Sequence, residues 1–241
     1  MLKDWKTEPE DFDEDGFLEW FNSGKERYKH GKTTKGIFAP WFLFKEDSDI
    51  FNRFLLNGYD LIQTWDGCVY HMTCRGSRYN PTLTEVGKES DEWLKQNMRS
   101  TRNFIRKWGH FVKHDNLMLP EVPHKYDIEF NVENGNSQIL NILEPWCDRI
   151  TIDIDEDAID SYIKLEQPNT NFDLREKINV HEDSDIEISF DANRLTNNSY
   201  SYIQKWSEIF DGNDLEVGSF ELDIFNIKVN RIKHYEKSLI N

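Results

Sequence analysis

Apolar positions in the first half of the chain recur at a helical spacing in two places. Between Ile50 and Leu55 they fall on one face, and Asn57-Gly58 supplies a stop, so a short helix is predicted there. From Glu89 to Val112 the same spacing predicts a longer helix with one apolar and one basic face. The apolar face comprises Trp93, Leu94, Phe104, Ile105, Trp108 and Phe111, and the basic face comprises Lys95, Arg99, Arg102, Arg106 and Lys107.

Beyond Pro120 and Pro123, which mark a linker, the pattern changes to short strands that alternate with helices. Strands are predicted at Tyr126–Val132, Arg149–Ile154, Asp185–Phe190 and Phe220–Val229, and helices at Ser137–Leu143, Glu156–Leu165 and Tyr200–Phe210. Helices placed between strands imply that at least some of the strands pair in parallel. The pattern therefore predicts an α/β sandwich for this part of the chain.

Charge is distributed unevenly along the 241 residues, whose net charge is −16. Residues 70–113 hold nine Lys and Arg against four Asp and Glu, whereas residues 144–191 hold four against fifteen. Such asymmetry is typical of two domains with different roles, here predicted as 1–118 and 124–241. A strongly acidic chain also lacks the basic surface that binding to nucleic acid requires, so no nucleic-acid partner is expected.

The chain is expected to be soluble and cytoplasmic, with no membrane partner. No apolar run approaches the roughly 20 residues that span a bilayer, and the N-terminus has no apolar stretch of the signal-peptide kind. Cys68, Cys74 and Cys147 form an odd set without a paired motif, which favours free thiols in a reducing compartment.

Three carboxylates, Glu46, Asp47 and Asp49, crowd the start of the first predicted helix. Like charges in one place repel each other unless a dipole, a metal or a basic ligand offsets them. Such crowding can prepare one carboxylate as a general base. The alternative is an ordinary acidic helix start, which the helix dipole favours.

The wider string resembles the active-site block of family 2-type (GT-A) sugar-nucleotide glycosyltransferases. It runs from Glu46 through Phe54, continues at Asn57-Gly58-Tyr59 and ends at Val69-Tyr70-His71. Looser similarity at Thr73–Tyr79 and Phe104–Gly109 extends to glycosyltransferases predicted for large tailed marine bacteriophages. For a phage-encoded chain, the compartment would be the host cytoplasm.

The resemblance implies inverting transfer of a sugar from a nucleotide-sugar to a glycan or protein acceptor. Asp47 would act as the base, and Glu46 or Asp49 would be an acceptor or structural partner. His71 would help to hold Mn²⁺ or Mg²⁺, although a lone histidine after a strand can also be a hydrogen-bonded structural residue.

Four further residues, Arg53, Trp65, Arg75 and Arg78, are the candidate substrate-binding residues. Arginine forks match phosphate geometry, so Arg75 and Arg78 together with the basic helix face could clamp a diphosphate. Alternatively, these charges pair with the acidic terminal segments of the same chain.

The family's nucleotide-binding half and its DxD motif have no counterpart before Gly36. We therefore expect a truncated GT-A-like C-terminal half followed by a small α/β sandwich domain. Such a chain is a fragment, a degenerate copy, or one half of a split enzyme whose donor-binding half is a separate chain. The alternative is a non-catalytic phage accessory protein that binds glycans or partner proteins. The later Asp153-x-Asp155-x-Asp157 run fails as a calcium loop, because Ala158 and Lys164 occupy the positions of its Gly and its Glu, and predicts an acidic turn.

Overall fold

The structure of the chain, a computed structural model, describes residues 46–61, 90–116, 119–180 and 182–240. All of these residues belong to one unit, Ala39–Asn241. The division of the chain into domains 1–118 and 124–241 stays a prediction.

A mixed sheet of five strands organises the second half of the chain. The strands are β1 (Ile128–Glu133), β2 (Arg149–Ile152), β3 (Ile186–Asp191), β4 (Gly218–Leu222) and β5 (Phe225–Val229), in the order β2-β1-β3-β5-β4. Strand β1 pairs in parallel with β2 and β3, whereas β5 is antiparallel to both β3 and β4. The predicted α/β class and the partly parallel pairing are therefore confirmed.

Six helices accompany the sheet in the described part of the chain. They are α1 (Glu46–Leu56), α2 (Asp91–Trp108), α3 (Ser137–Leu143), α4 (Glu156–Glu166), α5 (Asn197–Ile203) and α6 (Trp206–Gly212). Short 3₁₀ turns lie at Glu144–Trp146, Gln167–Asn169, Ala192–Arg194 and Glu236–Ile240. Several helices begin at residues that suit an N-cap, because a side-chain oxygen accepts a backbone N–H of the first turn. Those residues are Ser90, Asn136, Asp155 and Thr196.

Three predicted elements differ from the structure. Helix α2 ends at Trp108, short of the predicted Val112, because Gly109 adopts a left-handed φ of 79° and donates its N–H to Ile105 O. The single helix predicted at Tyr200–Phe210 is wrong, since the chain forms α5 and α6 there. The single strand predicted at Phe220–Val229 is also wrong. It is a hairpin that turns after Leu222, where Asp223 takes a φ of 55°.

The core lies between the sheet and the helices that cover it. Phe130, Ile150, Ile186, Ile188 and Phe225 are fully buried on the strands. They pack with apolar residues from the helices and loops, including Leu140, Leu143, Leu174, Ile203 and Trp206. Full burial of one such aliphatic side chain contributes about 1.5–3 kcal/mol, so this cluster supplies most of the driving force for folding.

Cys147 is a free thiol buried in this core. Burial raises the pKa of the thiol to about 12, so it is protonated and unreactive near neutral pH. Cys68 and Cys74 lie outside the described residues. None of the described helices is long and apolar enough to cross a membrane.

Candidate functional site

The acidic start of α1 presents two aspartates in opposite environments. The Asp47 side chain is exposed, whereas Asp49 is only 3% exposed. Asp49 forms an ion pair with Arg53 one turn later, at 3.0 Å between Oδ2 and Nε. Its Oδ1 accepts the indole N–H of Trp108 at 2.9 Å and also pairs with the ammonium of Lys107. Asp49 therefore joins α1 to the C-terminal end of α2, which is a structural role.

These contacts also account for two of the basic residues. Burial lowers the pKa of Lys107, and the attraction of Asp49 works in the opposite direction. Arg53, a candidate substrate-binding residue, is directed at Asp49 on its own helix. The catalytic roles predicted for Glu46, Asp47 and Asp49 stay predictions. Trp65, His71, Arg75 and Arg78 lie outside the described residues.

The basic face of α2 pairs with acidic residues of the C-terminal part of the chain. Arg102 donates through Nε to Glu166 at 2.8 Å and through Nη1 to the carbonyl of Asn141 at 2.7 Å. Arg106 donates to both carboxylate oxygens of Glu144. For these two arginines, the alternative of pairing within the chain is confirmed.

Glu144 is the centre of this charged network and is fully buried. It accepts hydrogen bonds from Arg102 at 3.3 Å and from Tyr162 Oη at 2.9 Å, and Lys177 Nζ lies 2.9 Å from its other oxygen. Burial alone would raise the pKa of this carboxyl, but Lys177 and Arg106 together hold it well below its usual range. Glu144 is therefore ionised and compensated, which suits a structural anchor rather than a proton carrier.

The two edges of the sheet differ in how far other described segments cover them. At the other edge, Ile150 of β2 receives a bridge from residues 177–179, with hydrogen bonds of 3.0 Å from its N–H and 2.8 Å to its carbonyl. Strand β4 has no such cover from any described segment, and the residues from Gly218 to Glu221 are all exposed. Among the described residues, the sheet thus ends on one covered strand, β2, and one uncovered strand, β4.

A groove of about 520 Å³ runs between α6 and β4. Its wall includes Ile209 and Phe210 of the helix and the whole of Asn213–Leu222. Val217 and Phe220 beside it are 66% and 39% exposed. The sequence did not predict this groove. One continuous strand was predicted at Phe220–Val229, whereas the groove is formed by β4, the first strand of a hairpin.

A cluster of two histidines and a glutamate lies next to the start of β1 and the end of β5. His124, His234 and Glu236 bring one possible ligand atom each within 4.8 Å of one another. The two imidazole rings are stacked, with centroids 3.8 Å apart and an angle of 13° between their planes. Asp211 of α6 borders the cluster, since its Oδ1 lies 3.0 Å from His124 Nδ1 and accepts Tyr126 Oη at 2.7 Å.

No local signal marked that cluster in the sequence, because His124 lies far from His234 and Glu236 in the chain. The acidic turn predicted at Asp153–Asp157 is confirmed, since this run connects β2 to α4 and Asp155 caps α4 by accepting the N–H of Asp157 at 3.1 Å. No family model matches the chain, and comparison with curated proteins and with solved structures gives no match either.

Proposed function

We propose that this chain is a non-catalytic binding protein that takes up an extended, basic segment of a partner protein along β4. The supporting observation is the uncovered edge strand β4 beside the groove that it forms with α6. An edge strand offers a row of unpaired N–H and C=O groups to which an extended peptide adds as a further strand.

The groove supplies what main-chain pairing lacks, which is selectivity for side chains. In a peptide added to an edge, alternate side chains point to the same face and can occupy pockets there. Val217 and Phe220 provide exposed apolar surface at this place, and Ile209 contributes from the helix. We therefore expect the bound segment to alternate apolar and polar residues.

Charge selects the polar residues of that segment. Asp214, Glu216 and Glu221 line the groove, and the chain as a whole has a net charge of −16. Complementary charge speeds encounter and excludes acidic competitors, and its effect falls with salt. Lysine or arginine at the polar positions of the segment follows from this arrangement.

The charged residues near α1 and α2 support a non-catalytic role. Asp49, Arg53, Arg102 and Arg106 are each paired within the chain, in contacts that hold helices together. Their charges are therefore already compensated by partners within the chain.

The test is a titration of the isotope-labelled chain with a short synthetic peptide that alternates lysine with valine. We expect amide shifts confined to β4, β5 and α6, and a loss of binding as salt is added. A matched peptide that alternates glutamate with valine should not bind. Shift changes elsewhere, or equal binding of the acidic peptide, would overturn the proposal.

Charge reversal sharpens this test. Glu216→Lys combined with Glu221→Lys should weaken binding of the lysine peptide at least about tenfold, which is about 1.4 kcal/mol. Glu176 is exposed beside the opposite, covered edge of the sheet. Glu176→Lys combined with Asp153→Lys, at another exposed position that follows β2, is therefore the control with the same change in charge, and an equal loss in that variant would mean that only net charge matters.

Inverting sugar transfer is a second proposal, supported by the exposed Asp47 at the first turn of an α1 that Asp49 holds in place. In this proposal the chain is a truncated or split GT-A-like enzyme with Mn²⁺ or Mg²⁺ as its metal. Titration with UDP-sugars and Mn²⁺ tests it. No binding, or binding that is unchanged in both Asp47→Asn and His71→Ala, would overturn it.

A further inference from the structure

The sheet topology brings His124 close to His234 and Glu236, which lie far from it in the sequence. His124 precedes β1, and His234 and Glu236 follow β5. Because β5 runs antiparallel to β3 while β1 runs parallel to it, the start of β1 and the end of β5 lie at the same end of the sheet. The three side chains place a possible ligand atom each within 4.8 Å of one another.

We propose that His124, His234 and Glu236 form a binding site for a divalent transition-metal ion of the zinc type. Two imidazoles and one carboxylate are the ligands that Zn²⁺ and its neighbours accept readily, whereas Mg²⁺ and Ca²⁺ prefer oxygen ligands alone. Three protein ligands leave a coordination position for water. His71, the metal ligand implied by the glycosyltransferase resemblance, is not one of the three.

The surroundings of His124 provide independent support. Asp211 Oδ1 lies 3.0 Å from His124 Nδ1, which assigns the proton to that nitrogen and leaves Nε2 to face an ion. Tyr126 Oη donates to the same carboxylate oxygen at 2.7 Å and fixes its position. Carboxylates that orient a histidine in this way are a regular feature of metal sites.

The carboxylate ligand is also held in place. Glu236 is only 6% exposed, and its Oε2 accepts the backbone N–H of Lys125 at 3.2 Å. That hydrogen bond connects the 3₁₀ turn Glu236–Ile240 to Lys125, the residue next to His124. A buried carboxylate with a single backbone donor on one oxygen has its remaining capacity available for a cation.

Metal binding requires one change in the site. An ion lies close to the plane of each imidazole that binds it, so two rings stacked 3.8 Å apart must rotate out of their parallel arrangement. Both histidine side chains are exposed, and rotation of the His234 ring alone ends the stack while Asp211 continues to hold His124. The expected signature is therefore a loss of the ring stack when the ion binds.

The experiment uses the full chain without an affinity tag, titrated with Zn²⁺ by calorimetry and with Co²⁺ by visible absorption. We expect one ion per chain and the absorption bands of a four- or five-coordinate cobalt site. His124→Ala and His234→Ala should each abolish the bands. His114→Ala is the control, because His114 is an exposed histidine outside the cluster, and it should leave binding unchanged.

Asp211→Asn tests whether the position of His124, which Asp211 holds, contributes to metal affinity. It keeps all three ligands but alters the partner of His124, so affinity should fall about 10–100-fold while the stoichiometry stays at one. Circular dichroism checks that each variant is folded. Absence of Zn²⁺ binding, or binding that survives in both histidine variants, would overturn the proposal.

Discussion

Arg106 forms a bidentate ion pair with Glu144 in the interior, with Nε 3.0 Å from one carboxylate oxygen and Nη2 2.6 Å from the other. Both side chains are completely buried. A pair of this kind adds little net stability compared with apolar residues, because both charges have lost their hydration. Removing one partner is costly, however, since the other charge stays buried without compensation.

Glu144→Gln should therefore destabilise the protein severely. Lys177 would lose its counter-charge in a buried position, whereas Arg106 would keep its ion pair with Glu166, so the expected loss is about 3 kcal/mol in the free energy of unfolding. Urea denaturation measures it. Glu133→Gln, at an exposed position at the end of β1, is the control and should change stability by less than about 0.5 kcal/mol.

The lowered pKa of Glu144 predicts that the fold loses stability in acid. The pKa of this carboxyl in the folded protein lies below the ordinary value of 4.5, so it stabilises the fold above that pH. The contribution is lost as the pH falls below about 4.5 towards the folded pKa. Urea midpoints measured from neutral to acid pH should decline over this range. A decline that is equally steep in Glu144→Gln would contradict this origin.

Asp49→Asn should loosen α1, whereas Asp47→Asn should not. Asp49 forms ion pairs with Arg53 and Lys107 and accepts the indole N–H of Trp108, so its loss leaves three donors without their anion. We expect a cost of about 3 kcal/mol in the free energy of unfolding. Limited proteolysis and urea denaturation measure the effect. Equal effects of the two substitutions would show that Asp49 is not the anchor of α1.

His110 should make stability depend on pH near neutrality. Burial lowers the pKa of its imidazole below 6.5. A hydrogen bond with the backbone carbonyl of Phe111 acts in the opposite direction, and the positive charges of Lys125 and Lys113 lower the pKa further. The unfolded chain then binds a proton more readily, so stability is full above about pH 6.5 and declines as the pH falls below it. His110→Asn should remove this decline in thermal melts. A decline that persists in His110→Asn would assign it to another group.

Gly135→Ala should strain the turn after β1. A Cβ at this position would lie 2.4 Å from Cγ1 of the buried Ile152, a distance that forces one of the two to move. Overpacking of this kind costs about 1–3 kcal/mol. Gly212 at the end of α6 has open space around the same atom and no positive φ. Gly212→Ala should therefore be neutral or slightly stabilising. Urea denaturation of the two variants measures both effects.

Local patterns determined much of the secondary structure. Helix α3 has the predicted bounds, and α1, α4 and the first three strands lie within a few residues of them, because their apolar spacing and caps are properties of neighbouring residues. The hairpin of β4 and β5 escaped prediction. Its turn depends on Asp223 in a left-handed conformation, and no Gly or Pro marks the place.

The tertiary structure decided what the charged residues do. The sequence indicated a basic face on α2 and an acidic C-terminal part, but only packing assigns Arg106 to Glu144 and Asp49 to Trp108. His124 and His234 gave no local signal, since they become neighbours only because β1 begins and β5 finishes at the same end of the sheet. Contacts between residues far apart in the chain leave no periodic trace in it, so helices were predictable and the sites were not.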